Sequence, residues 1–241
     1  MQILTESNVL GIDEQHPDAA HFTVLRYQDG LSSHIPKGLF RNNHDEDISQ
    51  APWGRFQIGR DSILGPGSIA KYDGNQQSLL IGRHVRGGLR LRFLLNGQHE
   101  TRSAAMSMFG GGGVRVPRPP QHGDTVLQND LWIGDEAMLL GGVTIANGSV
   151  IGARSLVPAG LQTEPYGIYQ GNPARLMGFR FGEKLRAALL ELAWWDQPFE
   201  WVRQHAEFFA LDLAEDEGRA LEGVQELLRE RAAAPDGVAA G

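Results

Sequence analysis

Residues 127–161 read LQNDLWIGDEAMLLGGVTIANGSVIGARSLVPAGL, and their spacing decides the fold. An aliphatic side chain recurs every six positions, at Leu127, Ile133, Leu139, Ile145, Ile151 and Val157. Four places after each comes Leu131, Ala137, Val143, Ser149, Ser155 or Leu161, all small or apolar, with glycines between at Gly134, Gly142, Gly148 and Gly152. A helix repeats about every 3.6 residues and a strand every two, so neither produces a period of six. Short strands joined by turns do, if each six-residue unit makes one face of a triangular prism. Three faces make a coil of eighteen residues, and successive coils stack as in other solenoids. Leu127 is then expected on Ile145, Ile133 on Ile151 and Leu139 on Val157. The chain is expected to be mainly β.

The same signal continues upstream, with interruptions. Ile58-Gly59 and Leu64-Gly65 form two good units, with Ser62 and Ser68 four places on. Ile81-Gly82 with Val85 forms another, extended loosely by Leu91 and Phe93. The polar stretch from Lys71 to Gln77 breaks the block. A longer break from Glu100 to about Asp124 holds GGGG at Gly110 to Gly113 and three prolines. A long excursion from a compact repeat is more often functional than accidental. GGGG is not a phosphate loop, because no GK[ST] follows and no strand-to-helix pattern surrounds it. It gives the loop mobility.

Downstream, Pro165 and Pro173 punctuate an extended exit, and helical spacing follows at Leu185, Leu189, Leu192 and Trp195. After Pro198 come Phe199, Val202, Ala206 and Phe209, and then a last helix over 215–231 and a frayed tail. The chain thus divides into a segment 1–54 whose structure the pattern leaves open, a prism over 55–178 with its loop at 100–124, and C-terminal helices and tail over 179–241.

Composition narrows the function. The net charge is -7 and no dense Lys/Arg run occurs, which argues against a nucleic-acid partner. Cysteine is absent, so disulfides and thiolate metal sites are excluded. The start, MQILTESNVLGIDEQH, lacks the pattern of a signal peptide, and no run approaches eighteen apolar residues. A cytoplasmic protein without a membrane span is the expectation.

Five ordered pieces carry a family likeness: IGRDSILGPGSI, FLLNGQHE, NDLWIGDEAMLLGGVTIANGSVIGARSLV, PYGIYQGNPARLMGFRF and WWDQP. Over roughly residues 55 to 200 the chain resembles the xenobiotic acetyltransferases of the hexapeptide-repeat β-helix superfamily, which include streptogramin and chloramphenicol O-acetyltransferases. The resemblance implies a left-handed parallel β-helix, an exception to the right-handed crossover rule. It also implies a homotrimer with active sites between subunits, acetyl-CoA as donor, and a hydroxyl of an antibiotic or sugar as acceptor. Three departures bear on the acceptor: the interruption at Lys71 to Gln77, Pro158-Ala159 where many relatives have a basic step, and Glu100 where the antibiotic enzymes often have arginine.

Acetyl transfer to a hydroxyl needs a base, because an alcohol is a poor nucleophile at neutral pH. Imidazole, with an unperturbed pKa of about 6.5, suits the task. His99 lies where the prism gives way to the excursion, and its NGxH setting matches the family's base, which implies direct attack on the thioester. Trp132 lines the cofactor or acceptor cleft, or else packs between subunits. The family's CoA track maps onto Ala153, where the cofactor approaches closely, onto Pro158 and Ala159 beside it, and onto Arg175, whose planar fork suits a phosphate. Glu100, next to His99, is expected to point elsewhere. His122, His16, His21, His34, His44, His84 and His205 are expected to be structural or solvated, Trp194 and Trp195 to be packing residues, and Asn96 to close the turn before His99. No metal is expected, because a zinc enzyme on this prism, like the γ-class carbonic anhydrases, needs three histidines and no close pair lies near His99. A non-catalytic β-helix scaffold would lack both the base and the CoA track, and an amine acceptor is the remaining alternative.

Overall fold

The computed structural model describes residues 2–51, 54–73, 77–106 and 122–233. Within the repeats each short strand is hydrogen-bonded to the strand one coil away, not to its neighbour in sequence. Three sheets result, visited in turn, and they are the faces of a parallel β-helix. Face 1 runs through Gln2–Leu4, Arg55–Ile58, Ser78–Ile81, Thr125–Leu127 and Thr144–Ile145. Face 2 stacks Ile63–Leu64, Arg86–Gly87, Trp132–Ile133, Val150–Ile151 and Gly167–Gly171. Face 3 stacks Phe40–Arg41, Ile69–Lys71, Arg92–Leu94, Met138–Leu140 and Leu156–Val157.

The register is the one the period requires. Leu127 pairs with Ile145, Ile133 with Ile151 and Leu139 with Val157, all fully buried. Upstream the register holds while residues are added. Ile58 pairs with Ile81, twenty-three positions on, and Ile81 with Leu127, forty-six on, against eighteen for a bare coil. The surplus of five falls between Lys71 and Ser78, and that of twenty-eight between Leu94 and Thr125.

The unit that reads as loose is regular, too. Its inward column is Ile81, Gly87, Phe93 in steps of six, and a search for aliphatic residues misses the glycine. Methyl groups of Leu64 and Leu91 fill the space, each 2.9 Å from where a Cβ on Gly87 would stand. Face 3 alternates size in the same way, with Ala70 between Phe40 and Phe93. Large side chains thus interdigitate with small ones along the axis, as dense core packing requires. The serines four places on are buried but satisfied. Ser62 Oγ donates to the Gly82 carbonyl at 2.7 Å and accepts from the Val85 amide at 3.0 Å. Ser68 Oγ likewise donates to Gly65 and accepts from Leu91.

The segment left open by the pattern starts the prism. Besides Gln2–Leu4 on face 1 and Phe40–Arg41 on face 3, it forms an antiparallel meander of Val9–Ile12, Phe22–Tyr27 and Ser32–Pro36. The meander joins face 2 through His34 opposite Ile63. At the other end Gly167–Gly171 turns back into Ala174–Phe179 as a hairpin.

Four helices follow: α1 (Glu183–Leu192), α2 (Phe199–Gln204), α3 (Ala206–Phe209) and α4 (Glu217–Ala233). Leu185, Leu189 and Leu192 of α1 pack against Ala220, Val224 and Leu227 of α4. The helical spacing breaks at Ala193, which takes a left-handed φ of 42°, so Trp195 falls on a 3-10 turn, Trp194–Asp196. That turn fastens the helices to the prism. Arg60 donates to the carbonyls of Trp195 and Gln197, Arg83 pairs with Asp196 at 2.8 Å, and Trp194 lies over His84 at 4.6 Å. Trp194 and Trp195 are therefore packing residues. No described helix is long and apolar enough to cross a membrane.

Candidate active site

The three prism edges differ, and the difference builds the site. Each tight corner places one residue in the left-handed region. At two edges these residues form full columns, Asp61, His84, Asp130 and Gly148 between faces 1 and 2, and Gly67, Arg90, Glu136 and Arg154 between faces 2 and 3, while Gly142 and Gly160 hold the same conformation in the two short corners of the third edge. Turns there stack backbone on backbone: a Cβ on Gly59 would meet the Gly82 carbonyl carbon at 2.7 Å. Along the second column Glu136 accepts from Arg90 at 2.5 Å and from Arg154 at 2.7 Å. The Arg90 and Arg154 hydrogen bonds hold this carboxyl below its ordinary range.

The third edge, between faces 3 and 1, takes the segments 42–54, 72–77 and 95–124, whereas residues 5–31, with the 3-10 turn and two strands of the meander, are inserted between Gln2–Leu4 on face 1 and Ser32–Pro36 on face 2. The three interlock. Asn43 Nδ2 donates to Asp73 Oδ1 at 2.6 Å, and the buried Asn96 donates from Nδ2 to Asp73 Oδ2 at 3.4 Å. Gly97 follows with φ 107°, a conformation L side chains rarely adopt, so the turn needs its glycine. On the return side Asp124 Oδ1 meets Arg55 at 3.5 Å, and His122 packs against Gly141 and Gly142. Residues 107–121, including Gly110 to Gly113, lie outside the described residues, as does the tail from 234 onward.

His99 sits at the mouth of this edge with its side chain exposed. Its Nδ1 is 3.1 Å from the Met106 carbonyl oxygen. A carbonyl only accepts, so Nδ1 carries a proton, and the neutral form of this tautomer has its lone pair on Nε2. Glu100 takes no part in orienting the ring. It turns inward, is buried, and accepts from the Arg102 amide at 2.7 Å.

The other five expected residues are distributed around the prism. Pro158 and Ala159 share the His99 edge, one and two residues past the last strand of face 3, with the Gly160 amide on the Gly141 carbonyl at 3.1 Å. Ala153 is exposed on the edge between faces 2 and 3, stacked on Gly134. Trp132 stands outward on face 2 and is 61% exposed. Arg175 is exposed on the terminal hairpin of that face, its Nη1 on the Ala174 carbonyl at 3.0 Å. Face 2 is the face opposite the His99 edge. Within one chain His99, Pro158 and Ala159 share one edge, two coils apart, and the body of the prism stands between that edge and Trp132 or Arg175.

A cavity of about 590 Å³ lies elsewhere again, between the prism and the C-terminal helices. Asp130, Tyr166, Arg180, Trp194, Phe208 and Phe209 are among its walls, and none of the six expected site residues is. Arg180 bridges Asp130 at 3.1 Å and the Gly148 carbonyl at 2.9 Å. Burial pushes the Asp130 carboxyl above its ordinary range against the pull of Arg180. The arrangement ties the hairpin to the corner at Asp130.

No family model matches the chain. A chloramphenicol acetyltransferase from Escherichia coli is 46% identical over 86 residues, covering 36% of this chain and only 40% of that protein's length. A solved hexapeptide-repeat acetyltransferase from Vibrio cholerae O1 biovar eltor, complexed with acetyl coenzyme A, is 22% identical with a TM-score of 0.42, over 58% of this chain and 64% of that one. A probable macrolide acetyltransferase from Lysinibacillus sphaericus is 31% identical over 147 residues, covering 58% of this chain and 81% of its relative. The chain belongs to the xenobiotic acetyltransferase family.

In this member of the xenobiotic acetyltransferase family, sequence reasoning missed Asp73 and Asn43, which hold the NGQH turn from outside it. Their signal was faint: both fall in stretches where the repeat is silent. The one hint was that the 71–77 break, like the longer one, follows a face 3 strand.

Proposed function

We propose that the chain is an acetyl-CoA-dependent O-acetyltransferase, wound as a left-handed β-helix, working as a homotrimer in the cytoplasm, with His99 as general base. One observation carries the reading: His99 Nδ1 is engaged by the Met106 carbonyl, which leaves Nε2 for the acceptor, at the edge that takes the insertions 42–54, 72–77 and 95–124. Nε2 takes the proton of the acceptor hydroxyl as the oxygen bonds to the acetyl carbon. The carbon–sulfur bond then breaks, and the proton passes from His99 to the departing thiolate, so the ring returns to its starting state. Met106 holds Nδ1–H throughout and stabilises the imidazolium formed between the two transfers.

Donor binding falls to Ala153, Pro158, Ala159 and Arg175, with Trp132 lining the cleft or the subunit contact. Arg175 offers a charged planar donor set suited to a CoA phosphate. Since Ala153, Arg175 and Trp132 lie on other sides of the prism from His99, a single cleft holding all of them needs two copies of the chain. The 61% exposed Trp132 supports the same assembly, because a large indole is best buried against another copy. The names of the relatives, for chloramphenicol and a macrolide, favour a small hydroxyl-bearing antibiotic over a sugar as acceptor.

The test is release of free thiol from acetyl-CoA with chloramphenicol, a macrolide and a disaccharide in turn. Turnover with at least one, abolished in His99→Ala, is expected. Acetylation of amines alone, or turnover that survives the substitution, overturns the reading. Sedimentation at micromolar concentration should give a trimer, and a monomer would remove the shared cleft.

A further inference from the structure

Among the described residues, one cluster of metal-ligating side chains lies outside the proposed acetyl-transfer site, and it joins two stretches that are far apart in function if not in sequence. His16 and Asp18 belong to the 3-10 turn Pro17–Ala20 and its N-cap, and His34 belongs to Ser32–Pro36, the strand that opens face 2. Asp18 Oδ2 stands 3.4 Å from His34 Nε2 and 3.8 Å from His16 Nδ1, and all three ligand atoms lie within 4.8 Å of one another. We infer that His16, Asp18 and His34 form a binding site for a divalent transition-metal ion of the zinc class.

The geometry supports this in four ways. Two imidazoles and a carboxylate are zinc ligands, whereas calcium and magnesium call for oxygen donors. Tetrahedral zinc, with bonds of about 2.0–2.2 Å, separates its ligand atoms by about 3.3 Å, so the cluster needs only a small contraction. His34 Nε2 is buried and meets only the long 3.4 Å contact to Asp18 Oδ2 among the described residues, with no well-formed hydrogen bond, although its side chain is 13% exposed overall. A nitrogen in that state lacks a ligand that a metal would supply. The rings are also held in place: they meet edge to face at 5.1 Å, and Phe22 meets His34 edge to face at 5.5 Å.

Two neighbouring interactions define the competition. The Asp18 amide donates to His16 Nδ1 at 3.1 Å, which shows that this nitrogen carries a lone pair, and metal binding exchanges the amide for the ion. Arg86, the nearest cation on the same outer column of face 2, is engaged by Asp61 at 2.6 Å, so its charge is already balanced. With three protein ligands a fourth position stays open to water or a small anion. The ion would clip the 3-10 turn to the first strand of face 2, on the side of the prism away from His99, and the site is independent of the acetyl-transfer reading.

The experiment is calorimetric titration of Zn²⁺ into untagged full-length protein stripped with a chelator. One saturable site per chain is expected, weakened at least tenfold by His34→Gln and by Asp18→Asn and unchanged by His99→Ala. Asp18 is largely exposed, so Asp18→Asn keeps the fold even if His34→Gln does not. With Co²⁺ the wild type should show the intense visible bands of a tetrahedral ion, lost in Asp18→Asn. Absence of a saturable 1:1 site, or a site that keeps its affinity and its Co²⁺ spectrum in Asp18→Asn, overturns the proposal. An ion-pair role for His34 and Asp18 alone would give the first of these results.

Discussion

Two edges of the prism are closed and one is open, although one chain winds through all three. At the closed edges these corners are four residues long and repeat their left-handed residue from coil to coil, at Asp61, His84, Asp130 and Gly148 and at Gly67, Arg90, Glu136 and Arg154. Successive turns touch through their backbones, so an added residue would lift one coil off the next. At the open edge the insertions between faces 3 and 1 splay outward and pack on one another instead, through Asn43, Asp73 and Asn96. The inward columns set the register, and a corner is free to grow only where nothing must stack on it. Past the meander that starts the chain, the insertions, and with them the candidate base, lie along that one line of the molecule.

The sharpest test of the contrast is His99, which belongs to the open edge and to no stack. His99→Ala should lower kcat by roughly 10²–10⁴-fold, the usual span for loss of a general base, with acetyl-CoA binding and thermal stability retained. In the wild type kcat/KM should fall on acidification, because imidazolium cannot accept a proton. A matching loss of stability in the variant would place His99 in the scaffold instead.

A pair of glycines compares the edges directly. Gly148 has φ 72° and a Cβ there would overlap the Tyr166 ring, whereas Gly160 has φ 71° with nothing within 4 Å. Gly160→Ala should cost only the left-handed penalty, about 1–2 kcal/mol. Gly148→Ala adds overpacking of about 1–3 kcal/mol to the same penalty. Urea unfolding of the two variants should separate them in that order, and equal losses would mean that the closed edge can yield.

Arg175→Ala probes the opposite face. Loss of a charge-assisted hydrogen bond of about 1.5–3 kcal/mol should raise the KM for acetyl-CoA roughly ten- to hundredfold, with kcat little changed. A collapse of kcat at constant KM would move Arg175 to the reacting centre. The smallest effect is expected at Asp73, whose carboxylate accepts from Asn43 and Asn96 within the open edge. Asp73→Ala should reduce kcat on the order of tenfold through misplacement of the NGQH turn, leave donor KM alone, and be partly rescued by Asp73→Asn. An effect on donor KM alone would show that the interlock shapes the cofactor track.

Much of this was legible in the linear pattern because a solenoid makes its contacts at a fixed sequence interval. The step of six names the inward residues, the step of eighteen names their partners, and Leu127 on Ile145 needed no further information. The spacing failed at Gly87, where the inward position holds no side chain, and before residue 55, where antiparallel strands and a 3-10 turn replace the repeat. It also failed for Trp195, which keeps helical spacing with Leu185, Leu189 and Leu192 but lies beyond the left-handed Ala193.

By itself, then, the sequence determined the coil, the pairing of its faces, the position of the long excursion and the histidine at its origin, because each of these depends on intervals between residues near one another in the repeat. Only the tertiary structure decided that the three insertions after residue 41 leave from a single edge, that Met106 accepts from His99 Nδ1, that Asp73 joins Asn43 to Asn96, and that His16, Asp18 and His34 converge. Each of those contacts links segments whose separation follows no period. Their meeting depends on how many residues every intervening corner holds, a quantity that hydrophobic spacing does not encode.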